Sequence, residues 1–281
     1  MAGKLYLCAT PIGNLGDITY RVVETLKSAD LIAAEDTRGS IRLLNHFDIH
    51  VPMTSYHEYN KMEKGRILVQ KMLDGANIAL VTDAGTPGIS DPGEELVRMC
   101  HEAGVEVTSL PGPAACITAL TMSGLSTRRF CFEGFLPVDK KEREPVLARL
   151  GTETRTTVFY EAPHRLLKTL QILQEAAGES RQIAVCRELT KLHETVFRGS
   201  LAEAISYYTE KPPKGESVLV MEGVSEKELI RSREESFAQI PLRDHMQRYL
   251  DQGLSKKEAM KSVAADRGVS KREIYQQLLE D

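Results

Sequence analysis

The sequence predicts two α/β domains followed by a small helical segment, and three observations carry that expectation. Short apolar runs alternate with amphipathic stretches, the pattern of strands followed by helices. Three loops punctuated by proline and glycine each follow such an apolar run: Thr10 to Leu15, Asp83 to Gly93 and Pro111 to Ala115. A chain of 281 residues with 42% hydrophobic content can bury a sizeable core but is long for one domain.

In chain order, the apolar run Leu5 to Ala9 reads as a strand, and the amphipathic stretch Ile18 to Ala29 as a helix with Asp17 as its N-cap. Leu31 to Ala34 is a buried strand, followed by helices near Ser40 to Phe47 and Glu58 to Asp74 and the strand Ile78 to Val81. Glu94 to Ala103 is helical with Gly104 closing it, and Val105 to Leu110 is a strand. Pro113 suits the first turn of a helix over Ala114 to Met122.

Apolar periodicity stops near Gly124 to Arg129, so the first domain is expected over 1–124 and the second over 125–224. The second has strands at Phe130 to Phe135, Thr157 to Tyr160, Ile183 to Arg187, Thr195 to Phe197 and Val218 to Met221. Helices fall near Arg143 to Leu150, Leu166 to Ala177 and Leu201 to Tyr208. Several of these strands follow one another without a long helix between them, which predicts a mixed sheet. The charged stretch 225–240 reads as a linker. Beyond it, 241–281 reads as three short amphipathic helices, Leu242 to Leu250, Ser255 to Asp266 and Ser270 to Leu279, spaced like a helix-turn-helix with Lys271 and Arg272 opening the last.

Composition narrows the function classes. No apolar stretch approaches the roughly 18 residues of a membrane span, and the amino end enters a strand at once, so neither a membrane anchor nor a signal peptide is expected. Cys8, Cys100, Cys116, Cys131 and Cys186 are odd in number, scattered and unpaired in spacing; they read as reduced core residues of a cytosolic protein. A formal charge of -4 gives no overall basic field, so any nucleic-acid contact must be local.

The three loops differ in chemical content. In the first, Pro11 stops the strand, Gly13 permits close backbone approach, and Asn14 tolerates unusual torsions. It lacks both the dinucleotide fingerprint and the P-loop Gly-Lys pair, which disfavours phosphate cradling. The second concentrates Asp83, Thr86 and Asp91 among three glycines, although Asp91 also suits a helix cap. The third offers small residues at a helix start, fit for a flat or uncharged group.

Taken in order, the loops and Thr157 to Glu161 resemble the class III S-adenosylmethionine-dependent methyltransferases, the tetrapyrrole methylase superfamily. Six ordered motifs are more closely similar to the ribosomal RNA small subunit methyltransferase I family: Thr10 to Ile18, Ala33 to Arg38, Asp83 to Pro87, Phe132 to Pro137, Tyr160 to Arg165 and Arg187 to Lys191. That resemblance covers nearly the whole chain.

What the resemblance implies is a fold of the tetrapyrrole methylase type with S-adenosylmethionine between the two α/β domains. The implied activity is 2'-O-methylation of a cytidine in the decoding region of 16S ribosomal RNA. The cofactor positions would be Pro11, Ile12, Gly13, Asp83, Gly85, Thr86, Ile89, Ala114, Ala115 and Thr118, with Tyr160, Glu161, Leu189 and Gly215 closing from the second domain. No metal is implied. The partners would be 16S ribosomal RNA or the small subunit and a second copy of the chain, in the cytoplasm.

A 2'-hydroxyl needs its proton taken, so a base within hydrogen-bond reach is expected. Glu35 and Asp36 sit at a strand's carboxyl end, where an open sheet collects functional groups, and Arg38 beside them suits an RNA phosphate. The competing expectation for these residues is a capped helix start with a local ion pair. Glu161, His164, Arg165, Arg187, Glu188 and Lys191 are further candidates. Arg128, Arg129, Lys140, Lys141 and Arg143 could extend an RNA-facing rim. From Pro241 onward, eight basic residues face seven acidic ones, so composition leaves nucleic-acid binding and a packing bundle both open. A small-molecule methyltransferase of the same superfamily and a helix-turn-helix regulator are the alternatives.

Overall fold

The computed structural model describes residues 2–280 and divides them into two bodies, 2–147 with 156–222 and 148–155 with 223–280. The first begins with β1 (Lys4–Cys8), α1 (Tyr20–Ser28), β2 (Leu31–Ala34), α2 (Thr37–His46), β3 (Met53–Ser55) and α3 (Lys61–Leu73). It continues through β4 (Ile78–Val81), α4 (Gly93–Glu102), β5 (Glu106–Leu110) and α5 (Ala115–Ser123). The five strands form one parallel sheet in the order β3-β2-β4-β1-β5.

Strand alternation explains why helices cover both faces of this sheet. Leu5, Leu7, Ala33, Ile78 and Leu80 bury against Leu68 and Met72 of α3 and Leu96 of α4. Their neighbours Cys8, Ile32, Ala34, Ala79 and Val81 point to the other face, against Val22, Leu26 and Leu44 of α1 and α2. Each fully buried aliphatic side chain of this kind contributes on the order of 1.5–3 kcal/mol.

The second sheet comprises β6 (Phe130–Phe135), β7 (Thr156–Glu161), β8 (Gln182–Arg187), β9 (Thr195–Ser200) and β10 (Ser217–Met221). Its helices are α6 (Lys140–Leu150), α7 (Leu166–Ala177) and α8 (Leu201–Glu210). The order is β6-β7-β10-β8-β9, with β6 and β7 parallel and the remaining pairs antiparallel, so the sheet is mixed. Helix α5 lies before residue 124, yet Cys116, Ala119 and Leu120 pack on Val158, Ala184, Cys186 and Val220 of this second sheet. The two sheets lie within the same one of the two bodies.

The other body contains α9 (Glu226–Ala238), α10 (Leu242–Asp251), α11 (Lys256–Asp266) and α12 (Lys271–Glu280). The segment 225–240, expected as a linker, is thus largely helical. Ser225 and Glu228 form a reciprocal capping box, and Arg231 pairs with Glu235 at 2.8 Å one turn on; a polar composition that looks like a tether is here a well-capped charged helix. Leu242, Met246, Ala259, Val263, Ala264 and Ile274 form the small core of the last three helices.

Other departures are local. A 3-10 turn, Leu15–Asp17, precedes α1, whose N-cap is Thr19 rather than Asp17, because the Thr19 hydroxyl accepts from Val22 N at 3.2 Å. Helix α5 starts one residue later than expected, with Ala114 as its N-cap. None of the five cysteines forms a disulfide among the described residues, and burial pushes the thiols of Cys8 up to about 12 and Cys100 up to about 11. Among the described residues no helix is long and apolar enough to cross a membrane.

Candidate active site

Because β4, β1 and β5 are neighbours, the loops that follow them meet at the carboxyl end of the sheet. Thr10 N donates to the Gly85 carbonyl at 2.9 Å, and Gly85 N donates back to the Thr10 carbonyl at 3.0 Å. The Thr10 hydroxyl donates to the Thr82 carbonyl at 3.3 Å and the Thr86 hydroxyl to the Pro113 carbonyl at 2.9 Å. All three loops are therefore bonded into one rim. Gly85 has φ +87°, a torsion L side chains rarely adopt, which is why glycine stands there.

The second sheet contributes the facing wall. A side chain at Gly13 would meet Lys191 Cγ at 2.5 Å and the Leu189 carbonyl at 3.0 Å, so the first loop lies directly on the segment after β8. Gly215 sits in the same way against the Glu188 side chain. The Tyr160 hydroxyl accepts from Cys116 N at 3.2 Å, tying β7 to the start of α5. Burial pushes the Tyr160 phenol well above its usual range, so it stays neutral.

Between these walls lies a cavity of about 350 Å³, within the size range of small-molecule sites. Ile12, Ala114, Ala115, Leu189 and Val218 give it apolar surface. Glu35, Asp83, Asp91, Glu161, Glu188 and Glu216 make it acidic, with Lys191 the one cation among its described lining residues. Burial raises the Cys186 thiol to about 11, so this lining cysteine is no nucleophile at neutral pH.

The carboxylates differ in what already occupies them. Asp91 accepts from the main-chain N–H groups of Gly88, Ile89 and Gly93, between 2.8 and 3.1 Å, and is a turn clamp. Asp83 accepts from Asp36 N at 3.0 Å. The Glu161 side chain is fully buried and accepts from Thr169 Oγ1 at 2.6 Å and Ala162 N at 2.9 Å, with Arg165 Nε at 3.5 Å. Glu188 pairs with Lys191 at 3.0 Å. Glu35 takes one hydrogen bond, from Thr82 Oγ1 to Oε2 at 2.8 Å.

Strain and orphaned polar atoms concentrate at the same place. Ser90, Glu188 and Thr190 have positive φ, and each such residue costs on the order of 1–3 kcal/mol. Arg187 Nε, Thr190 Oγ1 and Ser217 Oγ are buried without a partner, and Ser217 lines the cavity.

Of the residues expected to bind cofactor, Ile12, Asp83, Gly85, Thr86, Ile89, Ala114, Ala115, Tyr160, Glu161 and Leu189 line the cavity. Pro11, Gly13, Thr118 and Gly215 do not; Thr118 donates to the Ala114 carbonyl at 3.0 Å within α5, and the two glycines shape loops behind the wall. Among the catalytic candidates Glu35, Glu161 and Lys191 reach the cavity, whereas Asp36 and Arg38 do not. Asp36 is the N-cap of α2, accepting from Arg38 N at 2.9 Å, and that bond holds its carboxyl below the usual range; the Arg38 side chain pairs with it at 3.5 Å and is otherwise exposed. The capped helix start is what the structure contains.

Other candidates make bonds to main-chain carbonyls or neighbouring side chains. Arg165 donates to the Leu136 carbonyl at 2.7 Å and Arg187 to the Lys214 carbonyl at 2.6 Å. Lys140 pairs with Glu144, and Arg143 donates to the Val138 carbonyl at 3.0 Å. The sequence reading missed Thr82, Ala84, Ser90, Phe135, Ala162, Cys186, Ser217 and Val218 as lining residues. Ser217 and Val218 open β10, and their signal in the sequence was closeness to Gly215 and, for Val218, the start of the strand.

The family model of tetrapyrrole (corrin/porphyrin) methylases matches residues 4–205. The chain is 50% identical to the ribosomal RNA small subunit methyltransferase I of a Synechocystis species, over 99% of this chain and 98% of that one. It is 46% identical to the protein of that name from Bacillus subtilis, over 97% and 93%. Among solved structures, diphthine synthase superposes with a TM-score of 0.63 at 12% identity, covering 78% of this chain and 90% of that one. Uroporphyrin-III-C-methyltransferase from Thermus thermophilus gives 0.56 at 18%, covering 78% and 94%.

Proposed function

This chain belongs to the ribosomal RNA small subunit methyltransferase I family, on the tetrapyrrole methylase fold, and from that premise we propose that it uses S-adenosylmethionine to methylate the 2'-hydroxyl of a cytidine in the decoding region of 16S ribosomal RNA. The observation that carries the reading is the acidic, partly apolar cavity at the three bonded loops.

The residues present fit the cofactor. Ile12, Ala114, Ala115, Leu189 and Val218 would enclose its adenine, and Asp83, Glu188 and Glu216 would favour its cationic sulfonium and ammonium groups. The unpartnered Ser217 hydroxyl keeps a hydrogen bond free for it. When bound, the sulfonium supplies an already activated methyl group, so the protein's chief task is alignment.

Glu35 is the base in this reading. Thr82 orients its Oε2, Oε1 has no hydrogen-bond partner among the described residues, and the group lines the cavity. Glu161, tied on three sides, instead positions β7 and the start of α7. Asp36 and Arg38 shape the rim, and Lys191 marks its cationic point. A homodimer in the cytoplasm completes the proposal, with sedimentation as the check on the dimer.

Mapping of 2'-O-methyl groups in small-subunit RNA from cells with and without the gene tests the function. Loss of one methyl in the decoding region without the gene is expected; an unchanged map would refute it.

A further inference from the structure

An acidic cavity on a chain of net charge -4 repels the phosphates of the RNA it has to engage. Affinity for RNA is then expected from surfaces outside that cavity. The helical carboxyl-terminal body has the required chemistry, which its nearly balanced composition conceals.

Four of its seven acidic residues after Pro241 are engaged within the body. Glu258 closes a capping box on Ser255, and Glu273 accepts from Ser270 N at 2.6 Å. Asp251 accepts from Gln247 at 2.7 Å. Asp266 is buried, bonded to His245 at 3.2 Å, to Arg233 at 3.1 Å and to the Tyr249 hydroxyl. By contrast Lys257, Lys261, Lys271 and Arg272 are exposed and enter no ion pair among the described residues. Among the described residues after Pro241, seven cations but only four carboxylates, Asp244, Asp251, Glu258 and Glu273, are exposed, and Asp266 is buried, so the outward charge is positive.

Position sharpens this. Lys257 and Lys261 stand one turn apart on α11, on a flank away from buried Ala259 and Val263. Among the described side chains of α12 only Ile274 is buried, with Leu278 packed beside it. Arg272, Tyr275, Gln276 and Leu279, at i, i+3, i+4 and i+7, share an exposed face, with Tyr275 54% and Leu279 70% accessible. A guanidinium, a phenol ring and an amide on one helix face can hold a phosphate, stack on an unpaired base and hydrogen-bond a base edge or 2'-hydroxyl. The tetrapyrrole methylase model stops at residue 205, whereas a relative named for ribosomal RNA aligns over 99% of the chain, tail included.

We infer that the α11–α12 surface is an RNA-docking face: Lys257, Lys261, Lys271 and Arg272 grip the phosphate backbone and Tyr275 stacks on an unpaired base. The inference rests on the ribosomal RNA reading above for its partner class. A second copy of the chain is the other occupant such a face could take.

The test is titration of the full chain, without cofactor, against a 16S ribosomal RNA transcript at several salt concentrations. The variant Lys257→Ala/Lys261→Ala/Arg272→Ala should bind the transcript at least about tenfold more weakly, and the slope of log affinity against log salt should fall by about 2 to 3. S-adenosylmethionine binding should be unchanged. Tyr275→Ala should weaken binding without changing the slope, which guards against a triple variant that folds poorly. Unchanged affinity and slope in both variants overturn the inference, as does a variant that alters sedimentation but not RNA affinity, which would assign the face to a second copy. Because no methyl transfer is measured, failure here is distinct from failure of the methylation map.

Discussion

Thr10 and Gly85, on loops that follow different strands, exchange two main-chain hydrogen bonds of 2.9 and 3.0 Å. This small antiparallel bridge fastens the first loop to the second, and Thr86 fastens the second to the third through the Pro113 carbonyl. Gly85→Ala forces a side chain onto φ +87° and brings its Cβ to 3.3 Å from Ile12 Cγ2. The expected result is a loss of about 1–2 kcal/mol of stability together with weakened S-adenosylmethionine binding, read by denaturant unfolding and calorimetry.

Glu35 and Asp36 are adjacent but do different things. Glu35→Gln keeps an oxygen for Thr82 and removes the base, so kcat should fall by on the order of 10² to 10⁴ with cofactor affinity little changed. Asp36→Ala removes the α2 cap and should cost about 1 kcal/mol of stability, with kcat retained. Equal losses of kcat in both variants would contradict this division.

Glu161 should behave as a structural carboxylate. Glu161→Ala leaves the buried Thr169 hydroxyl and Ala162 N without their acceptor, and about 1–3 kcal/mol of stability should be lost. Glu161→Gln, which still accepts from Thr169 and Ala162 N, should recover most of it. Thermal unfolding of the two variants distinguishes this from a catalytic role, in which Gln would be as damaging as Ala.

The helical body should be sensitive to acid through His245. Its ring is buried, stacked on Phe237 with centroids 4.7 Å apart, and Arg267 Nε donates to Nδ1 at 3.3 Å. Burial holds its pKa below the ordinary 6.5; the Asp266 bond opposes this, while the Arg267 and Arg248 charges reinforce it. A proton therefore binds the unfolded chain more readily than the folded one. The stability His245 confers is complete above about pH 6.5 and declines as pH falls below it. Melting of the wild type between pH 7.5 and 5 should show that decline, and His245→Gln should flatten it.

Much of the first sheet is legible in the sequence because its strands are buried on both faces and read as continuous apolar runs, as in Ile78 to Val81. The loops are legible because proline and glycine mark them. β3 is not, since three half-buried residues, Met53–Ser55, carry no period. The helix at 226–238 was hidden for the opposite reason: it buries none of its residues, so its stability signals are caps and ion pairs rather than an apolar stripe. The cap role of Asp36 and the burial of Glu161 depend on what folds around them. Acidic residues at a strand's end look alike in sequence whether they serve a helix, a neighbouring arginine or a ligand.

The central claim is that the bonded loops form the cofactor cleft, and S-adenosylmethionine titration into the wild type and Ala115→Phe tests it most directly. Ala115 lines the cavity at the start of α5, and a phenyl ring there would occupy the space. The account predicts saturable binding, one cofactor per chain, by the wild type and its loss in a variant that keeps the native circular-dichroism spectrum. Undiminished binding by the folded variant, or none by the wild type, would contradict it.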